Sequence, residues 1–396
     1  MKIAIIGYVP YPHGTGLTQY NLSLARGLIA NGHEAECLTP FSFDCNLDSL
    51  NSQAIGEYNG VKFRYVSGSS ICPYAPSKYR NLKMLMIYIR SMIKLWRYLS
   101  KNSFDGLLFT RDISLTLPLK LYSMFHNIPC VEMCFEYPDY VCKNDSHGGI
   151  KGCLERVSYR LPNGMLVISD KLKQYYQPYT SSKCRFLVSP LMVDVSTDIT
   201  ATEPAAPPYI LYSGDMSGTK DNVMDLIDAF AMISSDYPEL RLKLTGNASN
   251  TEWDQIRQKL IKMELHEKVD LCGFVSNEKL EQLMSKASIL TLCKTRNKQN
   301  EGNFPSKLGV YLKTGIPVVV SDVGSIGLYF KNGEHLFTVP PGNRNFFAEK
   351  LRYIFSFPDE SRKVAKQGQK RIFEEFSMVA QAKKIVALFA ELKEKS

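Results

Sequence analysis

The sequence runs twice through one pattern: an apolar strand-like run, a glycine loop, then a segment with helical spacing. That repetition sharply limits the folds open to it. In the first half Lys2-Ile3-Ala4-Ile5-Ile6 is a continuous apolar run ended by Gly7. Pro10, Pro12, Gly14 and Gly16 follow, and then Leu22, Leu24, Ala25, Leu28 and Ile29 recur at helical spacing, with Gly32 closing the helix. The β-like runs 61–66, 106–109 and 130–133 continue the alternation. The pattern restarts after residues 198–208, whose small and proline-rich composition marks a linker. Tyr209–Ser213 reads as a strand, 214–220 as a polar glycine loop and 223–233 as an amphipathic helix, with further strands at 240–244, 269–271, 289–292 and 318–321. Two Rossmann-like, doubly wound α/β domains with parallel sheets follow. The expected boundaries are 1–197, the linker 198–208, 209–376, and a final segment 377–396 crossing back to the first domain. In such sheets ligands sit beyond the carboxyl ends of the strands, so a cleft faced by both domains is the expected site.

The length of 396 residues fits two or three units at ~150 residues each. With 44% hydrophobic and 22% charged residues, the composition excludes disorder, collagen and coiled coil. A net charge of +9 is too small for this length to argue for nucleic acid. The charge is nevertheless clustered: nine Lys/Arg and no Asp/Glu lie between Asn59 and Phe104. The ten cysteines have no regular spacing and read as reduced thiols. A zinc site at Cys130, Cys134, Cys142 and Cys153 with His126 and His147 is disfavoured, because tetrahedral sites show closely paired ligands. The N-terminal run is too short for a signal peptide and no apolar tract reaches ~18 residues, so a cytoplasmic protein is expected.

Each half places glycines after a strand and before a helix, where amide N–H groups and the helix dipole favour an anion. The first loop contains Gly14, Thr15 and Gly16; the second contains Ser213, Gly214 and Asp215, with Lys220 at the helix entrance. Neither is a GxGxxG or GxxxxGK[ST] loop, and glycines that merely permit tight turns are the competing reading. The densest polar stretch runs from Cys293 to Leu308. It reads as a loop before the helix 308–313, with Gly302, Asn303, Phe304, Pro305, Ser306 and Lys307 at its end.

At this point the chain resembles a GT-B glycosyltransferase of glycosyltransferase family 4. Pro12-His13-Gly14-Thr15-Gly16 and Ala30-Asn31-Gly32-His33-Glu34 are similar to the family's opening pattern. Tyr212-Ser213-Gly214 with Lys220 resembles its phosphate loop, and 269–275, including Gly273, Phe274 and Val275, resembles its base-pocket segment. Phe304-Pro305-Ser306-Lys307-Leu308-Gly309-Val310-Tyr311-Leu312 with Thr314-Gly315-Ile316-Pro317-Val318 resembles the FPSKLxEYLxxGxPVV form of the donor motif. Three positions depart from it: Asp215 stands in place of Arg, Val310 in place of Glu, and Phe135 in place of His ahead of Glu136-Tyr137-Pro138.

The resemblance implies a retaining transfer from a nucleoside-diphosphate sugar of UDP or GDP type to a hydroxyl of a glycan or lipid-linked acceptor, in cell-surface polysaccharide or glycolipid synthesis. Lys220, Lys307 and Arg296 are implied to neutralise the diphosphate, helped by amides at Gly14–Gly16 and Gly302–Phe304, while Glu301 holds the donor sugar. Gly246 is implied to lie at the donor site and Glu136 on the acceptor side. No Asp-x-Asp pair occurs, so neither a cofactor nor a metal is expected. Two alternatives stand beside this reading. One is a catalytically silent GT-B protein that binds a nucleotide sugar or a partner enzyme; the other, less favoured, is a nucleotide-sugar epimerase.

Lys83, Arg90, Lys94 and Arg97 fall on one face of a helix spanning 80–101, and Leu82, Leu85, Met86, Ile89, Met92, Ile93 and Trp96 on another. An amphipathic helix packed on its own sheet is the simpler reading. The alternative is docking on an anionic membrane surface as a peripheral protein at its inner face.

Overall fold

The structure is a computed structural model that describes residues 1–41, 51–70, 80–138, 149–196 and 201–394. It divides into two compact units, one of residues 1–194 with 377–396, the other of residues 195–376.

The first unit is built on an eight-stranded sheet in the order β3-β4-β2-β1-β5-β6-β7-β8. The strands are β1 (Lys2–Ile6), β2 (Glu34–Thr39), β3 (Ile55–Tyr58), β4 (Val61–Tyr65), β5 (Gly106–Thr110), β6 (Cys130–Cys134), β7 (Gly164–Val167) and β8 (Arg185–Val188). Only β3 pairs antiparallel. β1 and β5 are continuous apolar runs because helices cover both sides of the sheet. Ile3 and Ile5 face the helix Gly16–Ala30 and the final helix Met378–Glu394. Ala4 and Ile6 face the helices Arg80–Asn102 and Ile113–His126.

The helix Gly16–Ala30 ends where the sequence places its stop. Gly32 adopts a left-handed φ of 79°, and the Asn31 amide donates to the carbonyls of Gly27 at 2.7 Å and Val379 at 3.0 Å. That second bond ties the stop to the final helix. Gly27 and Gly106 leave room for the helix: a Cβ at Gly27 would collide with the Met378 carbonyl, and one at Gly106 would lie 2.6 Å from the Phe389 ring. Lys393 of this helix bonds Asp105 at 2.7 Å. Ile385 is fully buried under this helix. Ile385→Val should therefore cost about 1 kcal/mol, a melting shift of about 2–4 °C in a unit of this size. An unchanged melting curve would show that the helix does not close this core.

The second unit carries a six-stranded, wholly parallel sheet in the order β11-β10-β9-β12-β13-β14. Its strands are β9 (Tyr209–Asp215), β10 (Arg241–Asn247), β11 (Val269–Gly273), β12 (Ile289–Leu292), β13 (Val318–Ser321) and β14 (Phe337–Val339). Ile210, Leu242, Leu244, Ile289 and Val319 form its core with Val223, Leu226, Phe230, Ile256 and Leu351 from flanking helices. Of the expected linker, residues 198–200 lie outside the described residues. Ala201 and Thr202 are bonded into the second unit, donating to the carbonyls of Thr314 and Ser285.

Candidate active site

In the second unit the candidate donor residues gather at the carboxyl end of β9. The chain there demands glycine twice. A Cβ on Gly214 would collide with the Tyr212 hydroxyl and the Asp221 carboxylate, and one on Gly246, at φ 143°, would run into the Gly214 carbonyl. The two backbones are therefore in close contact where β9 and β10 end.

Against this end sits the start of the helix Ser306–Lys313. Pro305 precedes it with no side-chain cap, and no acidic residue occupies its first turn. Lys307 reaches back to the strand, its Nζ donating to the Ser213 carbonyl at 2.9 Å. From the next turn Tyr311 accepts a bond from the Ser213 amide at 3.0 Å. Burial pushes the Lys307 ammonium below the ordinary lysine pKa; the Asp221 carboxylate pulls the other way and the Lys294 ammonium adds to the fall. An uncapped helix start beside a desolvated ammonium is an arrangement that draws a phosphate.

Asp221 and Lys294 are the residues that reading the sequence as a set of motifs missed. Asp221 is buried, 4% exposed, and its carboxylate is bonded by Lys294 Nζ. It also accepts from the Tyr212 hydroxyl at 2.8 Å and the Asp215 amide at 3.2 Å. One side chain thereby ties together β9, the entrance of the helix Val223–Ala231 and the end of β12. The sequence holds only a weak signal for it, an acid next to Lys220 and a lysine directly after an apolar strand.

Asp215 turns inward on its own loop, accepting from the Ser217 amide at 3.1 Å and hydroxyl at 2.6 Å. Lys220 is half-buried at the helix entrance, and its carbonyl accepts from Asn300 at 2.7 Å.

The polar stretch after β12 differs from the expected open loop. Asn297 caps a short helix, Lys298–Gly302, and donates to the Thr219 carbonyl at 2.8 Å, fastening the stretch to the loop after β9. Two amides assigned to the diphosphate are already used. Asn303 N donates to the Gln299 carbonyl at 2.9 Å, and Phe304 N donates to Asn303 Oδ1 at 2.6 Å. Three asparagines close the segment on itself, a pattern set by tertiary contact. Phe304 is a core residue, edge-on to Tyr329 at 5.8 Å. Arg296 lies exposed at 3.6 Å from Glu301. Gly273 has φ 64° at the end of β11, with Phe274 77% exposed, Val275 half-buried beside it, and Val310 on the outer side of its helix.

In the first unit, Gly14 is enforced by Thr18 and Pro10, which a Cβ would strike. Thr15 precedes the helix Gly16–Ala30 without a side-chain cap bond. Phe135 stacks edge-on against Tyr20 at 4.7 Å, and the Glu136 carbonyl accepts from the Tyr176 hydroxyl at 2.8 Å. The fully buried acid of this strand is Glu132. It pairs with Arg111 at 2.9 Å and accepts from Thr116 at 2.8 Å, with burial pushing its pKa up. Among the described residues no three His, Cys, Asp or Glu are grouped to hold a metal ion; Cys142 and His147 lie outside them.

Residues 198–371 match the family model of glycosyl transferases group 1. Among solved structures, the chain is similar to sucrose-phosphate synthase from Thermosynechococcus elongatus, with a TM-score of 0.72 at 18% identity over 100% of both chains. It is also similar to HepE from Anabaena in complex with UDP, at a TM-score of 0.67 and 14% identity, covering 99% of this chain and 100% of that one. A third similarity is to the lipopolysaccharide outer core galactosyltransferase WaaB, at a TM-score of 0.65 and 18% identity over 99% and 100%. No curated protein matches the sequence. The fold is of the GT-B class. Within the second unit, residues 198–371 are similar to the group 1 glycosyl transferases.

Proposed function

We propose that the protein transfers a glycosyl group, with retention of configuration, from a UDP- or GDP-linked sugar to a hydroxyl of a glycan or lipid-linked acceptor. The bond from the anomeric carbon to the diphosphate oxygen breaks, the bond to the acceptor oxygen forms on the same face, and the acceptor proton passes to the departing diphosphate. The observation that carries this reading is the Lys307 ammonium held at an uncapped helix start against the end of β9. Fixed positive groups aimed at a leaving diphosphate stabilise its developing charge, and each such donor is worth ~3–4 kcal/mol. Lys307 and Lys220 are the cations assigned to this role, with Lys294 held by Asp221 beside them, and on this reading the reaction proceeds without a metal. The UDP bound to HepE supports a nucleotide donor, and WaaB's place in lipopolysaccharide core synthesis supports a glycolipid acceptor. Such an acceptor brings the enzyme to the inner, cytoplasmic face of a membrane. Among the described residues no helix is long and apolar enough to cross one.

The test is release of nucleoside diphosphate from a panel of UDP- and GDP-sugars in the presence of EDTA. Turnover with at least one donor is expected. Release that requires added divalent metal would overturn the metal-free reaction, and no release from any donor would favour a silent binding protein. Lys220→Ala should lower turnover ~10²-fold if its ammonium meets the leaving group; an unchanged rate removes Lys220 from the site.

A further inference from the structure

The helix Arg80–Asn102 does not bury the apolar face its spacing defines. Met92, Leu95 and Leu99 pack on the sheet, whereas Leu82, Leu85, Met86, Ile89 and Ile93 are exposed. The helix packs on its own sheet, as the simpler sequence reading expects, but the sheet takes only one stripe of a helix that is apolar on two. The helix Ile113–His126 lies beside it and runs the same way. Near its start Tyr88 bonds the Ser114 carbonyl at 2.8 Å, and towards its end the Trp96 and Tyr122 rings meet at 5.7 Å. This neighbour also turns large apolar side chains outward: Ile113, Leu117, Leu121, Met124 and Phe125, with Phe125 77% exposed. The helix Gly149–Ser158, fastened by the bond from Arg111 to Ser158 at 2.9 Å, adds Leu154 and Val157. Three adjacent helices of one unit thus expose a contiguous apolar surface far beyond the scattered leucines of an ordinary exterior.

Among the described residues the charge on this surface is mainly of one sign, with Asp112, the cap of the second helix, bonded to Ser114. Lys83, Arg90, Lys94, Arg97 and Lys101 are exposed along the first helix and Arg156 on the third. Neither Arg80–Asn102 nor Ile113–His126 contains an acidic residue. The single acid of the third helix, Glu155, turns inward to Arg111 at 3.6 Å. We propose that this face seats the first unit on an anionic lipid bilayer, the apolar side chains entering the acyl boundary and the Lys/Arg ring binding lipid headgroups. A protein interface depletes charge from its apolar centre, whereas a bilayer offers hydrocarbon beneath a uniformly negative plane, which is what interleaved aliphatic and basic side chains fit. The inference deepens the transfer reading by naming the surface that meets a lipid-linked acceptor. It is tested without any sugar, so its failure leaves that reading standing.

The experiment is flotation of the full-length protein with vesicles of phosphatidylcholine alone and of phosphatidylcholine mixed with phosphatidylglycerol, across a salt series. Binding to the mixed vesicles is expected at low salt, falling steeply as salt rises, with at least tenfold less on neutral vesicles. Removing two headgroup contacts with Arg90→Gln and Arg97→Gln should lower partitioning about 25-fold, at roughly fivefold per charge. Phe125→Ser should lower it about tenfold by removing inserted apolar area. Circular dichroism reports whether each variant folds, and the salt series on the unaltered protein decides the matter if one does not. No binding to the anionic vesicles, or binding indifferent to salt and to all three substitutions, overturns the proposal. So does a concentration-dependent dimer that Phe125→Ser disperses while vesicles recruit nothing, which would assign the face to a second copy of the chain.

Discussion

Lys307→Ala should reduce turnover by ~10²–10³-fold, the cost of losing one fixed donor to a leaving oxyanion, while leaving the protein folded. The side chain spans from the first turn of the helix Ser306–Lys313 to the Ser213 carbonyl, so its removal deletes the charge held against the end of β9. The pH dependence gives a second readout. Burial holds this ammonium below the ordinary lysine value, so a nucleoside diphosphate that needs it protonated should lose affinity at a correspondingly lower pH than a surface lysine would dictate. Stability should move the other way. Between the lowered folded pKa and the ordinary unfolded one, the unfolded chain holds the proton and the folded chain does not, so folding gains as pH rises through that window. Calorimetric titration of UDP or GDP should show the alkaline limb in the native protein and lose it in Lys307→Ala. An identical limb in both would place the responsible group elsewhere.

Asp221→Asn should destabilise the protein by about 3–5 kcal/mol, because it leaves the Lys294 ammonium buried without its counter-charge. It also weakens the bonds from the Tyr212 hydroxyl and the Asp215 amide that hold the end of β9 in place. Adding Lys294→Met should restore most of the loss, since replacing both members of a buried pair by neutral groups is far cheaper than breaking it. Denaturant melts of the two single variants and the double variant supply the cycle. Additive losses would mean that the two charges do not interact. The same variants separate structure from chemistry: if Lys294 also faces the diphosphate, the double variant is stable yet slow, whereas a purely architectural pair returns both properties together.

The parallel sheets were legible because a strand buried on both faces must be a nearly unbroken apolar run, as in Lys2–Ile6 and Tyr209–Ser213. The stop at Asn31-Gly32 was legible because only a residue that tolerates a left-handed φ ends a helix in that way. The Ser306–Lys313 motif was legible too, since turn and helix start are specified by neighbours in sequence. The short helix Lys298–Gly302 was not: its asparagines bond to Thr219 and Lys220, which lie far away along the chain. Nor was the outward face of Arg80–Asn102, because a helical pattern with two apolar stripes does not say which of them the sheet will take.

The sequence by itself determined the two α/β units, the glycines at the ends of β9 and β10, and the lysine at the start of the helix Ser306–Lys313. Each of these depends on periodicity or backbone conformation, which are local properties of the chain. Only the tertiary structure decided that Asp221 and Lys294 share a buried pair beside Lys307, that the Asn303 and Phe304 amides are already taken, and that three helices leave an apolar, basic face outside. Those outcomes depend on which side chains, distant in sequence, come within bonding distance, and on which surfaces are left uncovered once the core is filled.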